Sequence, residues 1–343
     1  ASRRARNGPP VHRVVNIGVI SPLTDRGLGI QSYEAARNLD ASVLFVETKD
    51  PSAPSHPERF PHHTRVRWAQ GLDPKITMAW LRTVDAVYAA ETFYDPRLPK
   101  WAAAQGVTTV LHANPEFWTG AQDPTHLWSA TPWRADVMPP RTEVVPFPVA
   151  TDRFTPAEPH DGPCRWVHVA GKRAAWDRNG TDTVVSAIPL LTEPCSLRIV
   201  VQHGEIPELP PVPAHVDVTF SPPPADYWRL YDDADALVLP RRYGGLCLPV
   251  QEACAAGLAV VMSDLIPNRA WPGPRVHAEF WRKVTMPCGR VPVYDVSPRD
   301  LAQEMDALTD PVQRAVFQSQ SLAWAVTHSW EVQGPIWRSL LSA

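Results

Sequence analysis

Apolar residues along this chain gather in short runs separated by glycine, proline and charge. In the first part such runs are Val14 to Ile20, Ser42 to Val46, Val84 to Ala89 and Val107 to Leu111. In the second they are Trp166 to Ala170, Leu197 to Val201, Val216 to Phe220, Ala236 to Leu239 and Ala259 to Met262. Short runs without polar alternation mark strands buried on both faces, as in parallel sheets. Helical segments fall between them: Ile30 to Leu39, Trp101 to Gln105 ahead of Gly106, Asp182 to Leu191, and the stretch through Glu252 and Ala256 that stops at Gly257, a good C-terminal cap. This alternation predicts an α/β chain with two doubly wound sheets. Beyond Asp264 the pattern predicts a strand at Val291 to Tyr294 and a helix from Pro298 to Leu308. A last helical stretch, Val312 to Leu341, is interrupted at Gly334-Pro335.

Length agrees, since 343 residues exceed one ordinary core and suit two domains. The net charge is −3, with 16 Lys+Arg against 14 Asp+Glu in residues 1–150 and 17 against 22 beyond. Neither half is a polycation, so a nucleic-acid partner is possible but not signalled by charge. Arg3, Arg4 and Arg6 read as a solvated end. Five cysteines without a CxxC spacing argue against a disulfide framework and against a zinc cluster, and fit a reducing cytoplasm. No apolar run approaches the ~20 residues that span a bilayer. Pro51 to His63 reads as a surface loop whose His56, His62 and His63 lack the companions of a metal site.

Candidate chemistry concentrates between Tyr227 and Asp264, which read as helix, strand, tight loop, helix and strand. Gly244 and Gly245 open the loop to unusual backbone geometry and to close approach of a ligand, and Pro249 suits a first helical turn. A loop leaving the carboxyl end of a parallel strand into a helix N-terminus is a site for anions and nucleotides. A second loop of this kind, Asp25-Arg26-Gly27-Leu28-Gly29, follows the first strand. A third carries cations, with Gly171-Lys172-Arg173 after one strand and Arg178-Asn179-Gly180 at the next helix start.

At Gly244-Gly245-Leu246-Cys247-Leu248-Pro249-Val250-Gln251-Glu252-Ala253, closed by Ser263-Asp264, the sequence resembles the retaining glycosyltransferases of the GT-B fold, group 1 or family 4-like. Their signature runs Glu-Gly-Phe-Gly-Leu-Pro-x-x-Glu-Ala. The second glutamate is Glu252; the first is replaced by Gly244. The resemblance implies two Rossmann-like domains facing a cleft: an acceptor domain over 1–150, a nucleotide-sugar donor domain over 151–325, and a C-terminal helix over 326–343 returning to the first domain. It implies transfer of a sugar from a nucleotide diphosphate to an acceptor hydroxyl with retention of configuration.

By the same resemblance Lys172 and Arg178 grip the diphosphate, and Glu252 holds the ribose. Gly27, Gly29, Gly244, Gly245, Leu246 and Cys247 border the donor, and His112 after its strand meets the sugar. No cofactor and no metal are implied: no Asp-x-Asp motif stands on a strand-end loop, and Asp232-Asp233 reads as surface charge. The acceptor stays open among a small molecule, a glycan, a protein and a modified DNA base such as the hydroxymethyl pyrimidines of bacteriophages. A phage-encoded enzyme would act in its host's cytoplasm. The alternatives are a nucleotide-sugar-binding protein without catalysis, for which Gly244 speaks, and an epimerase or phosphorylase of the same fold.

Overall fold

The structure, a computed structural model, describes residues 15–48, 54–156, 158, 160–172 and 177–342. The first sheet is built from β1 (Ile17–Ser21), β2 (Ser42–Glu47), β3 (Thr64–Arg67), β4 (Ala86–Ala90), β5 (Thr108–Ala113), β6 (His126–Ser129) and β7 (Glu143–Val144). Three helices connect its strands: α1 (Gly27–Leu39), α2 (Pro74–Leu81) and α3 (Leu98–Ala103). The strand order is β3-β2-β1-β4-β5-β6-β7, and every pairing is parallel. The second sheet takes β8 (Cys164–Lys172), β9 (Cys195–His203), β10 (Val216–Ser221), β11 (Ala236–Leu239), β12 (Ala259–Ser263) and β13 (Arg275–Val276) in the order β10-β9-β8-β11-β12-β13. Helices α4 (Thr181–Ala187) and α5 (Leu248–Ala255) lie within it. An antiparallel hairpin of β14 (Ala278–Met286) and β15 (Gly289–Val296) follows, and then α6 (Pro298–Ala307), α7 (Pro311–Thr327) and α8 (Trp330–Leu341).

Strand periodicity distributes the core. Along β11, Ala236 and Val238 face one helical layer with Val184 of α4 and Leu301 of α6, while Leu237 and Leu239 face the other with Val250 of α5 and Ala325 of α7. Along β1, Ile17 and Val19 meet Ala35 of α1 and Trp337 of α8, and Ile20 meets Leu81 of α2. Each sheet is thus buried on both faces, as its unbroken apolar runs require.

Several local features differ from the sequence pattern. Tyr227–Arg229 forms only a single 3₁₀ turn, capped by Asp226, rather than a helix. The strand at Val291 to Tyr294 is one arm of the hairpin, whose other arm, Ala278–Met286, carries exposed Phe280 and Trp281 and lacks a clean apolar run. The last helical stretch breaks at Ser329 rather than at Gly334-Pro335. The Ser329 side chain accepts from Val332 N–H and starts a new helix, while Pro335 sits inside α8. Helix α7 packs on α5 and β12, whereas α8 crosses to the first domain, where Arg338 donates to the carbonyls of Leu39 and Asn38. None of the helices among the described residues is long and apolar enough to cross a membrane.

Candidate active site

Open parallel sheets bind ligands beyond their carboxyl edge, where the strand order reverses. Those reversals fall between β1 and β4 in the first sheet and between β8 and β11 in the second. The two points face each other across a cleft of about 580 Å³. Its first-domain wall comes from Asp25, Arg26, Gly27, Leu28 and Gln31 at the start of α1, from Glu91 after β4, and from Asn114 and Phe117 after β5. Its second-domain wall includes Ala170 and Gly171 of β8, Arg178 and Asn179, Tyr227, Arg241 after β11, and Leu246 to Pro249 at the start of α5. Gln202 Nε2 donates to the carbonyl of Asp25 at 2.9 Å, tying the walls together at one rim.

The loop after β11 is held by its own arginines. Arg242 is buried and donates to Asp177 at 3.1 Å and Asp295 at 2.9 Å, and its guanidinium lies over the Trp281 ring. Asp177 also accepts from the N–H groups of Thr181 and Asp182, so it caps α4 and anchors the loop together. Arg241 instead turns to the cleft, where Nη1 donates to the Gly245 carbonyl at 3.0 Å. Gly244 has φ +119°, and a Cβ there would collide with the guanidinium groups of both Arg241 and Arg178. Gly245 abuts the first domain, with Pro115, Thr131 and Trp133 nearest.

Facing these cations are carboxylates of the first domain. Glu116, fully buried, accepts from Arg178 Nη2, and its Oε2 has no hydrogen-bond partner. Glu91 accepts from Asn114 Nδ2 at 2.8 Å, and burial pushes its carboxyl up. Its backbone is left-handed, φ 64°, a conformation costing a non-glycine residue about 1–3 kcal/mol. The second-domain wall offers Arg178, Arg241 and the N-terminus of α5, and the first-domain wall the N-terminus of α1, a carboxylate and an amide.

Of the residues singled out in the sequence, Gly27, Leu246, Cys247 and Arg178 stand on the cleft wall. Gly29 does not line it; a Cβ there would strike the backbone of Thr24, so this glycine serves the turn into α1. Lys172 ends β8 near the cleft, but its side chain, like the whole of Arg173, lies outside the described residues.

Two expected ligand contacts do not fit the geometry. His112 is 1% exposed and packs among Tyr88, Trp128, Phe147 and Trp337. Its Nδ1 lies 3.1 Å from Tyr88 Oη and 3.4 Å from Gln31 Nε2, and burial lowers its pKa to about 3. Gln31, not His112, reaches the cleft. Glu252 is likewise buried: its carboxylate accepts from Tyr227 Oη at 2.8 Å and Tyr231 Oη at 2.8 Å, and burial raises its pKa to about 7. Tyr227 stands between it and the cleft. Residues that sequence reasoning passed over are Glu91, Asn114, Glu116, Arg241 and Tyr227. Their one signal was position, since four of them lie within three residues of the carboxyl ends of β4, β5 and β11.

Residues 211–270 match the family described as Glycosyl transferases group 1. That segment holds Tyr227, Arg241, the glycine loop and α5. No curated protein matches the chain by sequence. Among solved structures, HepE of Anabaena, determined with UDP and glucose, superposes with a TM-score of 0.65 at 11% identity, covering 96% of this chain and 100% of its own. Sucrose-phosphate synthase of Thermosynechococcus elongatus gives 0.63 at 15% identity over 96% and 99%. The lipopolysaccharide outer core galactosyltransferase WaaB gives 0.58 at 11% identity over 96% and 99%. The chain has the GT-B fold of these glycosyltransferases, two Rossmann-like domains around a cleft.

Proposed function

We propose that this GT-B chain is a glycosyltransferase that moves a sugar from a nucleotide-diphosphate sugar to an acceptor hydroxyl with retention of configuration. The observation that carries the reading is the cleft itself: both strand-order reversals open onto it, and about half of its second-domain wall falls in the segment that matches group 1 glycosyl transferases. HepE, similar over nearly the whole chain, was crystallised with UDP and glucose, and a nucleotide sugar suits this cleft in the same way. The nucleoside lies along Val169, Val200, Tyr227 and Leu230, with the diphosphate toward Arg178 and the N-terminus of α5, and the sugar toward Glu91, Asn114 and the start of α1.

Departure of the nucleoside diphosphate builds negative charge. Prearranged guanidinium groups and helix N-termini stabilise that charge more in the transition state than in the ground state. Retention follows if the acceptor attacks from the face the diphosphate leaves, so that the departing phosphate takes the acceptor's proton. Glu91 and Asn114 then orient sugar hydroxyls. Glu252 acts at one remove, by holding the Tyr227 and Tyr231 hydroxyls in place.

Mass spectrometry of the purified protein with UDP-, GDP-, ADP- and dTDP-hexoses tests the reading. Slow donor hydrolysis, or transfer to an added acceptor, is the expected result. Failure of every sugar nucleotide to bind or turn over would overturn it.

A further inference from the structure

The three arginines around the glycine loop are compensated unequally. Arg242 has two carboxylates, and Arg178 has Glu116. Arg241 is only 4% exposed, yet among the described residues its guanidinium makes one hydrogen bond, to the Gly245 carbonyl, and no ion pair. A guanidinium carries five donors, and a buried cation without a counter-charge is strongly destabilising. A second cation stands beside it, since one Cβ on Gly244 would touch both Arg241 Nη2 and Arg178 Nη2. Burial and then Arg178 hold the pKa of Arg241 down to about 10, with Glu116 among the groups acting the other way, which still leaves it charged at neutral pH.

The loop has a stronger anchor than Arg241, because Arg242 secures it to α4 and to β15. Arg241 lines the cleft, so its remaining donors have access to a bound ligand. We propose that Arg241 and Arg178 form a two-guanidinium subsite for an oxyanion of the bound ligand, and that residue 244 is glycine because any side chain would occupy it. The proposal rests on the donor-site reading above and adds a specificity-determining residue to it. Two groups on a nucleotide sugar have the required chemistry: a phosphate of the diphosphate, and a carboxylate on the transferred sugar, as in a hexuronic acid. A planar guanidinium binds either bidentately.

Calorimetric titration of wild type, R241M and R241K tests the proposal. The base is chosen first, from UDP, GDP, ADP and dTDP, and its diphosphate, its glucose conjugate and its glucuronic acid conjugate are then compared. If the oxyanion is phosphate, R241M weakens all three by about ten- to a hundredfold; if it is a sugar carboxylate, only the glucuronic acid conjugate weakens. R241K should recover part of the loss, having charge without the fork.

The unliganded melting temperature separates ligand binding from a structural role. Removing a buried cation that has no ion pair should leave R241M as stable as wild type or more so, while a structural arginine would lower it. Unchanged affinity for all three ligands in R241M, or a melting temperature falling together with affinity, overturns the proposal. If wild type binds none of the diphosphates, the donor-site reading itself has failed.

Discussion

Replacing Gly244 tests how closely one backbone position and two side chains depend on each other. Its φ of +119° is strained for any L side chain, and a Cβ would displace both guanidiniums. Gly244→Ala should therefore cost about 1–3 kcal/mol of stability and weaken nucleotide binding, read as a lower melting temperature and a higher Kd. Gly244→Glu, which puts a carboxylate where the resembling motif has one, should displace Arg241 and Arg178 and not sharpen donor choice. Wild-type affinity in Gly244→Ala would mean that the loop relaxes freely. Arg178→Ala should lower turnover on the order of a hundredfold through lost stabilisation of the leaving group. It also strands Glu116, which is buried, so about 1–3 kcal/mol of stability should go with it. The double variant Arg178→Ala/Glu116→Gln should regain most of that stability and none of the turnover. Recovery of both would reduce Arg178 to a structural partner of Glu116. At this scale the sequence located the segments of the site better than its side chains. The run His112-Ala113-Asn114-Pro115-Glu116 does supply cleft groups, but strand alternation turns His112 into the core and leaves Asn114 and Glu116 beyond the edge. Motif spacing carries no information on which Tyr covers Glu252, because Tyr227 arrives on a 3₁₀ turn from outside the motif.

Elements bring a second pair of carboxylates together. Glu34 on α1 and Glu252 on α5 line a small buried cavity between the domains, beside Phe147, Val149 and Trp228. Burial raises both pKa values to about 7. Arg37, Arg153 and Asn38 oppose the shift at Glu34 while Asp152 adds to it, and the Tyr227 and Tyr231 hydroxyls oppose the shift at Glu252 while Glu34 adds to it. Both folded-state values lie above the 4.5 of an ordinary Glu. Between pH 4.5 and 7 the folded chain therefore keeps protons that the unfolded chain has released. Stability should fall as pH rises through this window and level off above it, by on the order of 3 kcal/mol per carboxyl at most. Glu252→Gln is neutral throughout and keeps an oxygen for the tyrosines, so its urea stability should decline less between pH 5 and 8 than that of wild type. Parallel pH profiles would show that Glu252 ionises as an exposed carboxyl does. The elements themselves were largely legible, since buried parallel strands such as β11 and β12 announce themselves as unbroken apolar runs between glycine and charge. The hairpin was half hidden because β14 leaves Phe280 and Trp281 exposed and buries little besides Val284. A break inside the last helical stretch was expected at the strongest helix-breaking pair, yet a serine cap at 329 decided it.

Taken whole, the molecule is joined by more than the chain segment near Ala150, because α8 leaves the second domain and completes the core of the first. Trp337 is fully buried there against Tyr88, His112, Trp128, Phe147 and Trp330, and its Nε1–H donates to the Pro146 carbonyl at 3.2 Å. Backbone bonds between Val149 and both His328 and Trp330 run alongside, so the segment at Val149 is tied to the entry of α8. The core on this face of the first sheet is therefore complete only when α8 has docked, which couples the two domains. Trp337→Ala removes a large side chain from a packed aromatic cluster and should cost about 3–5 kcal/mol. The loss should fall on the first domain, so hydrogen exchange should rise in β1, β4 and β5 and in α1 while β11 and β12 stay protected. Nucleotide diphosphate affinity should drop less than stability does, because Arg178, Arg241 and the α5 N-terminus belong to the second domain. Trp337→Phe retains most of the ring packing and loses the bond to Pro146, and should cost about 1–2 kcal/mol. Equal exchange in both domains of Trp337→Ala would show that the two cores unfold as one unit. In that case the cleft would owe its shape to a single cooperative fold and not to a helix that latches one domain to the other.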